Sequence, residues 1–339
     1  MLRCAPDEVG VCCSATHAWC MVVYGIDWAP GDVLVTGRHE YGSNFIAYLQ
    51  LSRRFGIHVA VARETPAGDV DLADLARLLS EHRGKVRLVS MTHVPTSSGR
   101  VYSAGGVGEV CRAHRVTFLL DACQSAGQMP LDVAALGCDF LTATSRKYLR
   151  GPRGAGFVYA SRAAMEWHEP GWLDNWGGEW TAPGAYRVRE GARRYELYEM
   201  SFAAKAGLGV AARLANGALA AGSYGRVREL ADELRGRLEG ELGGAGVAVA
   251  DRGAHLCGIV SFTVAGMQGR HDEVREFLAR GGGGHPRVNV SVSRRPSTRL
   301  DYEGRGLHDV LRASLHYYND EADLDSLVAG LRAFRGGGA

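Results

Sequence analysis

Short β-branched runs alternate with helical patterns through the first half of the chain, and that alternation leaves few folds open. The runs are apolar throughout instead of at every second residue, as in strands buried on both faces. Strands of that kind joined through helices form βαβ units in a mostly parallel sheet. They fall at residues 32–36, 57–62, 86–91, 117–120, 140–142 and 155–159. Between them, residues 71–82 set Leu72, Leu75, Leu78 and Leu79 at helical spacing, and residues 105–114 give another helix. From about Ser223 the texture changes. YGRVRELADELRGRLEGEL is a charged amphipathic helix, VAVA, GIVSFTV and VNVSV look like strands, and DEADLDSLVAGLRAF closes as a helix. The expectation is an α/β chain with a large domain at 1–222 and a smaller α+β domain at 223–339.

Charge and apolar content narrow the function classes. Lysine and arginine number 39 against 37 aspartate and glutamate, without a basic block, so neither nucleic acid nor a membrane surface is expected as a partner. No stretch reaches the roughly 18 apolar residues of a membrane span, and a cytoplasmic protein is expected. The eight cysteines form no CxxC pair, which argues for small buried residues and against a metal site. The glycines at 281–284 and in the GGGA tail are expected as loop.

An open parallel sheet binds its ligands at the carboxyl ends of the strands. The polar segments there are HEYGSN, THVPTSSG, DACQS and TSRKYLRGPRGAG. Asp121 ends an apolar strand, where a lone carboxylate needs a cation or donors. Lys147 follows the next strand. A lysine sheltered there has its amine pKa lowered from about 10.4 and serves as nucleophile and base. Each residue alone has a bland reading, as a loop hydrogen-bond acceptor or a solvated charge. Together they suit pyridoxal phosphate, with the lysine bonded to the cofactor and the aspartate keeping its pyridine nitrogen protonated.

THVPTSSGRVY and LLDACQSAGQMPLDVAALGCDFLTATSRKYLRGPRGAGFVY resemble the heart of the class V aminotransferases, fold-type I pyridoxal phosphate enzymes that include cysteine desulfurases and isopenicillin N epimerase-like proteins. The resemblance covers nearly the whole chain. It implies Lys147 as the Schiff-base lysine, Asp121 as partner of the pyridine nitrogen, and Gln124 and Thr96 near the cofactor's phenolic oxygen. Tyr41 stands where relatives stack a ring on the pyridine face. Ser14, Ala15 and Thr16 look like the phosphate turn at a helix start, with Ala15 and Thr16 giving backbone groups, and Thr144 and Arg146 match further phosphate contacts. Asn44 and Arg312 match positions for the substrate's α-carboxylate, and Arg299 is a second candidate. A homodimer and a small amino-acid substrate are implied as well.

Several features depart from the family pattern. No cysteine follows Cys257, so the mobile persulfide cysteine of the desulfurases is lacking. Cys123 is expected to pack as a small residue under the ring. Glu199 stands where desulfurases offer the phosphate a hydroxyl from the partner subunit. Thr16 comes almost at once, where relatives carry a preceding segment, so either a misassigned start or a more open site mouth is expected.

HVPTSSG, SRKYLRGPRG and NVSVS…STRLD are similar to the ergothioneine C–S lyase-like branch and favour a β-lyase acting on an S-substituted cysteine. Transamination and epimerisation stay open, because they share one proton abstraction with the β-lyase and part from it only in their products, and a non-catalytic cofactor-binding role stays open beside them.

Overall fold

The computed structural model describes residues 1–251, 253–282 and 285–336. Gly283, Gly284 and the last three residues of the tail lie outside that set. Two units divide the chain. The first holds Met1–Thr65, Val70–Val94 and Tyr102–Ala221; the second holds Pro66–Asp69, Pro95–Val101 and Gly222–Ala339.

In the first unit the strands are β1 (Val9–Cys12), β2 (Val33–Thr36), β3 (His58–Val61), β4 (Val86–Thr92), β5 (Phe118–Asp121), β6 (Phe140–Thr144) and β7 (Gly156–Ala160). They form one sheet in the order β1-β7-β6-β5-β4-β2-β3. From β3 to β6 the pairings are parallel, whereas β7 runs antiparallel to both β6 and β1. Four strands, β2, β5, β6 and β7, are buried along their whole length, which is why they appeared in the sequence as unbroken apolar runs.

Alternation along each strand sorts side chains to the two faces. Leu34, Leu88, Leu119, Phe140 and Val158 share one face, where Trp19, Met21 and Val22 of α1 (Ala15–Val23) and Tyr48 and Leu51 of α2 (Gly42–Phe55) cover them. Helix α3 (Leu72–Glu81) starts at Asp71, whose carboxylate accepts the amides of Ala73 and Asp74, and it buries Leu75, Leu78 and Leu79. It packs beside α4 (Ala104–His114).

A small hairpin, β8 (Gly178–Ala182) with β9 (Ala185–Val188), follows, and a helix over Phe202–Ala220 ends the unit. Neither hairpin strand was anticipated, because their side chains are mostly exposed and carry no alternating pattern.

The second unit has an antiparallel sheet of β10 (Val247–Val249), β11 (Ile259–Val264), β12 (Ser291–Arg294) and β13 (Asp309–Ser314), ordered β10-β11-β13-β12. Helices over Ser223–Leu242, His271–Arg280 and Glu321–Gly336 bury Leu234, Leu278 and Leu327 against Phe262 and Leu311. The strand expected in VNVSV begins only at Ser291. Val288 donates its amide to the Leu278 carbonyl at 2.9 Å, closing the end of the preceding helix instead of extending the ladder. Pairing with β13 then runs from Ser291 to Arg294.

Candidate active site

The carboxyl ends of β2, β4, β5 and β6 in the first unit carry polar residues just where their apolar runs stop. Thr36, Ser90, Thr92 and Asp121 fall by alternation on the face covered by α1 and α2. All four are buried.

Asp121 ends β5 and aligns with Thr92 of β4. Its Oδ1 accepts the Cys123 amide at 2.9 Å, and its Oδ2 accepts Asn44 Nδ2 at 3.0 Å. Asn44, in the first turn of α2, also donates to Glu40 Oε1 at 3.0 Å. Asn44, expected at the substrate carboxylate, thus has its amide nitrogen on two protein carboxylates.

Sequence reasoning passed over Glu40, which is only 4% exposed. Its Oε1 also accepts Thr92 Oγ1 at 2.5 Å and the Tyr41 amide at 2.8 Å. Its Oε2 accepts Thr36 Oγ1 at 2.8 Å and lies 3.0 Å from the Tyr48 hydroxyl, itself 2.9 Å from Ser90 Oγ. Burial pushes the Glu40 carboxyl above its ordinary range, and the donors of Thr92, Asn44 and Thr36 pull the other way. A signal was present: two apolar strands end in threonines, and hydroxyls at the end of a buried strand need an acceptor.

Lys147 lies in the turn after β6, half-buried, and its carbonyl accepts the Arg150 amide at 2.8 Å. Its ammonium draws down the Cys123 thiol, although burial, and then the Asp121 charge, push that thiol far up. Lys147, Cys123 and Asp121 therefore share one neighbourhood. Gln124 is buried, Tyr41 caps α2 at the surface, Thr144 is buried at the end of β6, and Arg146 is exposed.

Gly156 explains how α1 reaches this edge. It pairs with Thr144 on one side and Cys12 on the other. A Cβ there would sit 2.7 Å from the Ala143 oxygen, the Ala15 nitrogen and the Ser14 carbonyl carbon. The missing side chain leaves room for the start of α1 beside β6. Ser14 Oγ accepts the His17 amide at 3.0 Å, no acidic residue occupies the first turn, and the Ala15 and Thr16 amides have no hydrogen-bond partner among the described residues. Free amides at a helix start favour an anion.

Thr96 and Arg312 belong to the second unit, where Arg312 of β13 donates to the Thr96 carbonyl at 2.7 Å and to its hydroxyl at 3.3 Å. Arg299 opens a short helix and pairs with Glu303 at 2.8 Å on the surface. Glu199 is exposed, and neighbouring Glu196 takes the buried place, accepting the Val11 amide at 3.0 Å and Lys205 at 2.6 Å.

A strand-end aspartate, a lysine after the next strand and an open helix start lie on a sheet with the fold of the fold-type I enzymes. A profile of the Aminotransferase class-V family matches residues 2–327, and the chain belongs to that family. A probable cysteine desulfurase of Methanothermobacter thermautotrophicus is 26% identical over 338 residues, 99% of this chain and 82% of the relative. One from Pyrococcus abyssi is also 26% identical, over 192 residues that span 56% of this chain and about half, 47%, of the relative. Among solved structures, the cystine C–S lyase C-DES in complex with its reaction product cysteine persulfide superimposes with a TM-score of 0.81. It is 26% identical, over 96% of this chain and 82% of that one.

The family's enzymes work with pyridoxal 5'-phosphate. The residues here fit it. Two amides without a hydrogen-bond partner among the described residues open α1, Gly156 leaves the space beside them, and the Asp121 carboxylate is held by Asn44 and the Cys123 amide.

Proposed function

We propose that this enzyme is a pyridoxal 5'-phosphate-dependent β-lyase that breaks the Cβ–S bond of an S-substituted cysteine. The observation that carries the reading is the neighbourhood shared by Lys147 and Asp121, at the carboxyl ends of adjacent parallel strands.

When bound, the cofactor supplies an electron sink for negative charge at the substrate's α-carbon. Asp121 holds the proton on the ring nitrogen. Lys147 anchors the cofactor and, once free, its amine takes the α-proton. The Cβ–S electrons then leave with sulfur as thiolate. Ala15, Thr16, Thr144 and Arg146 hold the phosphate, Tyr41 covers the ring face, and Gln124 meets the phenolic oxygen. The planar guanidinium of Arg312 suits the substrate carboxylate.

A persulfide relay through a protein cysteine is not favoured. Cys257, the last cysteine in the chain, is buried in the second unit, and burial pushes its thiol up to about 11. The C-DES relative, whose product is cysteine persulfide, supports direct release of the sulfur fragment.

A homodimer is part of the proposal. Ile46, Leu49, Phe202, Val210 and Leu214 expose apolar side chains on two helices of the first unit, as a second copy would require. A cytoplasmic setting is proposed too. All eight cysteines are free, as in a reducing compartment, and no helix among the described residues is long and apolar enough to cross a membrane.

The test is to mix the holoenzyme with S-substituted cysteines and assay thiol, pyruvate and ammonia together. Equal amounts of the three are expected, and Lys147→Ala should abolish them while keeping the fold. Conversion of the cofactor to its amine form, or a change only in substrate handedness, would overturn the lyase reading.

A further inference from the structure

Asp121 is only one of two buried carboxylates at this edge of the sheet. The other, Glu40, is 4% exposed against 6% for Asp121. The groups around Glu40 are donors: the hydroxyls of Thr36, Thr92 and Tyr48, the Asn44 amide and the Tyr41 backbone N–H. Five groups thus meet a carboxylate that offers about four lone-pair sites, three at Oε1 and two at Oε2. The Asn44 amide nitrogen and the Tyr41 N–H can only donate, and the hydroxyls can turn to donate as well, so the cage suits the ionised form.

Asn44 ties this anion to the other. One nitrogen, with two hydrogens, spans Glu40 Oε1 and Asp121 Oδ2, both at 3.0 Å. Turning the amide over would aim its oxygen at two carboxylates, so its orientation is fixed. The Cys123 amide holds the second Asp121 oxygen at 2.9 Å, and the carboxylate is pinned from two sides.

We propose that Glu40 is a positioning residue for the reaction: through Asn44 it fixes the Asp121 carboxylate and places a second buried negative charge beside it. The proposal rests on reading Asp121 as the partner of the cofactor's ring nitrogen. Two carboxylates buried side by side are costly, and a protonated ring nitrogen at Asp121 relieves that cost. Glu40 therefore strengthens cofactor binding and keeps the ring nitrogen protonated to higher pH. The titratable groups facing Glu40 are Tyr48 of α2 and Asp121 at the end of β5; Thr36, Thr92 and Asn44 carry no charge.

The experiment titrates pyridoxal 5'-phosphate into the apo-protein and follows the bound cofactor's absorption against pH. It compares the unaltered chain, Glu40→Gln, Asn44→Ala, and each of the two combined with Asp121→Asn. Removing a buried charge this close should lower the ring nitrogen's apparent pKa by about one unit and weaken cofactor binding roughly tenfold. Glu40→Gln should do both, Asn44→Ala, which removes the bridge and no charge, should weaken cofactor binding, and Glu40→Gln should add less than about twofold once Asp121 is neutral. A folded Glu40→Gln with unchanged spectra and affinity overturns the proposal, and so does an equal effect in the Asp121→Asn background. If the glutamine amide is not tolerated among so many donors, Asn44→Ala carries the test, because it cuts the bridge and leaves the other four donors around Glu40. An unaltered chain that takes up no cofactor refutes the reading of the site itself and not the role of Glu40.

Discussion

Gly156→Ala is the sharpest probe of the phosphate end of the site. The added Cβ would meet three backbone atoms at 2.7 Å, short of the 3.4 Å of ordinary contact by about 0.7 Å. None of them is the end of a flexible side chain. The Ala143 oxygen belongs to the central sheet, whereas the Ser14 and Ala15 atoms belong to the start of a helix covering its edge, so the helix start should yield. Overpacking of this kind costs about 1–3 kcal/mol. If the displaced amides lose one charge-assisted hydrogen bond to the phosphate, at about 1.5–3 kcal/mol, cofactor Kd rises roughly 10- to 100-fold. The assay is titration of apo-protein with pyridoxal 5'-phosphate, followed by absorbance, beside urea unfolding without cofactor. A variant that loses stability but binds the cofactor with unaltered Kd refutes the idea that the α1 start holds the phosphate.

Two predictions concern stability. His168 is buried, with Nε2 2.8 Å from the Val22 carbonyl and Nδ1 2.8 Å from the Tyr195 hydroxyl, and burial pulls its pKa down from 6.5 to about 4. The unfolded chain then binds the extra proton between those values, so stability falls as pH drops from 6.5 towards 4, by roughly 3 kcal/mol for this group. Urea unfolding across that range should show the slope, and His168→Gln should flatten it; an unchanged slope counts against the assignment. In the second unit Arg235 donates to the carbonyls of Cys257 at 2.9 Å and Ile259 at 2.6 Å and lies 3.7 Å from Asp251, whose oxygens take the amides of Gly99 and Ser261. Arg235→Met strands that buried charge and should cost about 3–5 kcal/mol by chemical denaturation; a loss below about 1 kcal/mol would contradict the pairing.

The parts of the fold legible in the sequence are those whose burial is uniform. β5 and β6 are covered on both faces, and Leu75, Leu78 and Leu79 lie on one side of α3, so period and composition announce them. β1 did not show itself, because four residues with a glycine among them make too short a run. The hairpin of β8 and β9 was hidden because exposed strands owe their form to backbone pairing alone. At the candidate site, Asp121 and Lys147 could be proposed because their positions after apolar strands make them conspicuous. Glu40 could not, because a glutamate beside a turn is ordinarily solvated, and what removes it from water are hydroxyls from β2 and β4, 4 and 52 residues away along the chain.

The pairing of β1 with β7 also sets an order of events during synthesis. Residues 9–12 leave the ribosome well before their ladder partner at 156–159. At about 5–20 residues per second, the first strand waits many seconds for its neighbour. The helix that begins at Ala15 can coil at once, but its amino end is not seated beside β6 until Gly156 has been made. A nascent chain shorter than that should bear a lysine and an aspartate and still hold no cofactor.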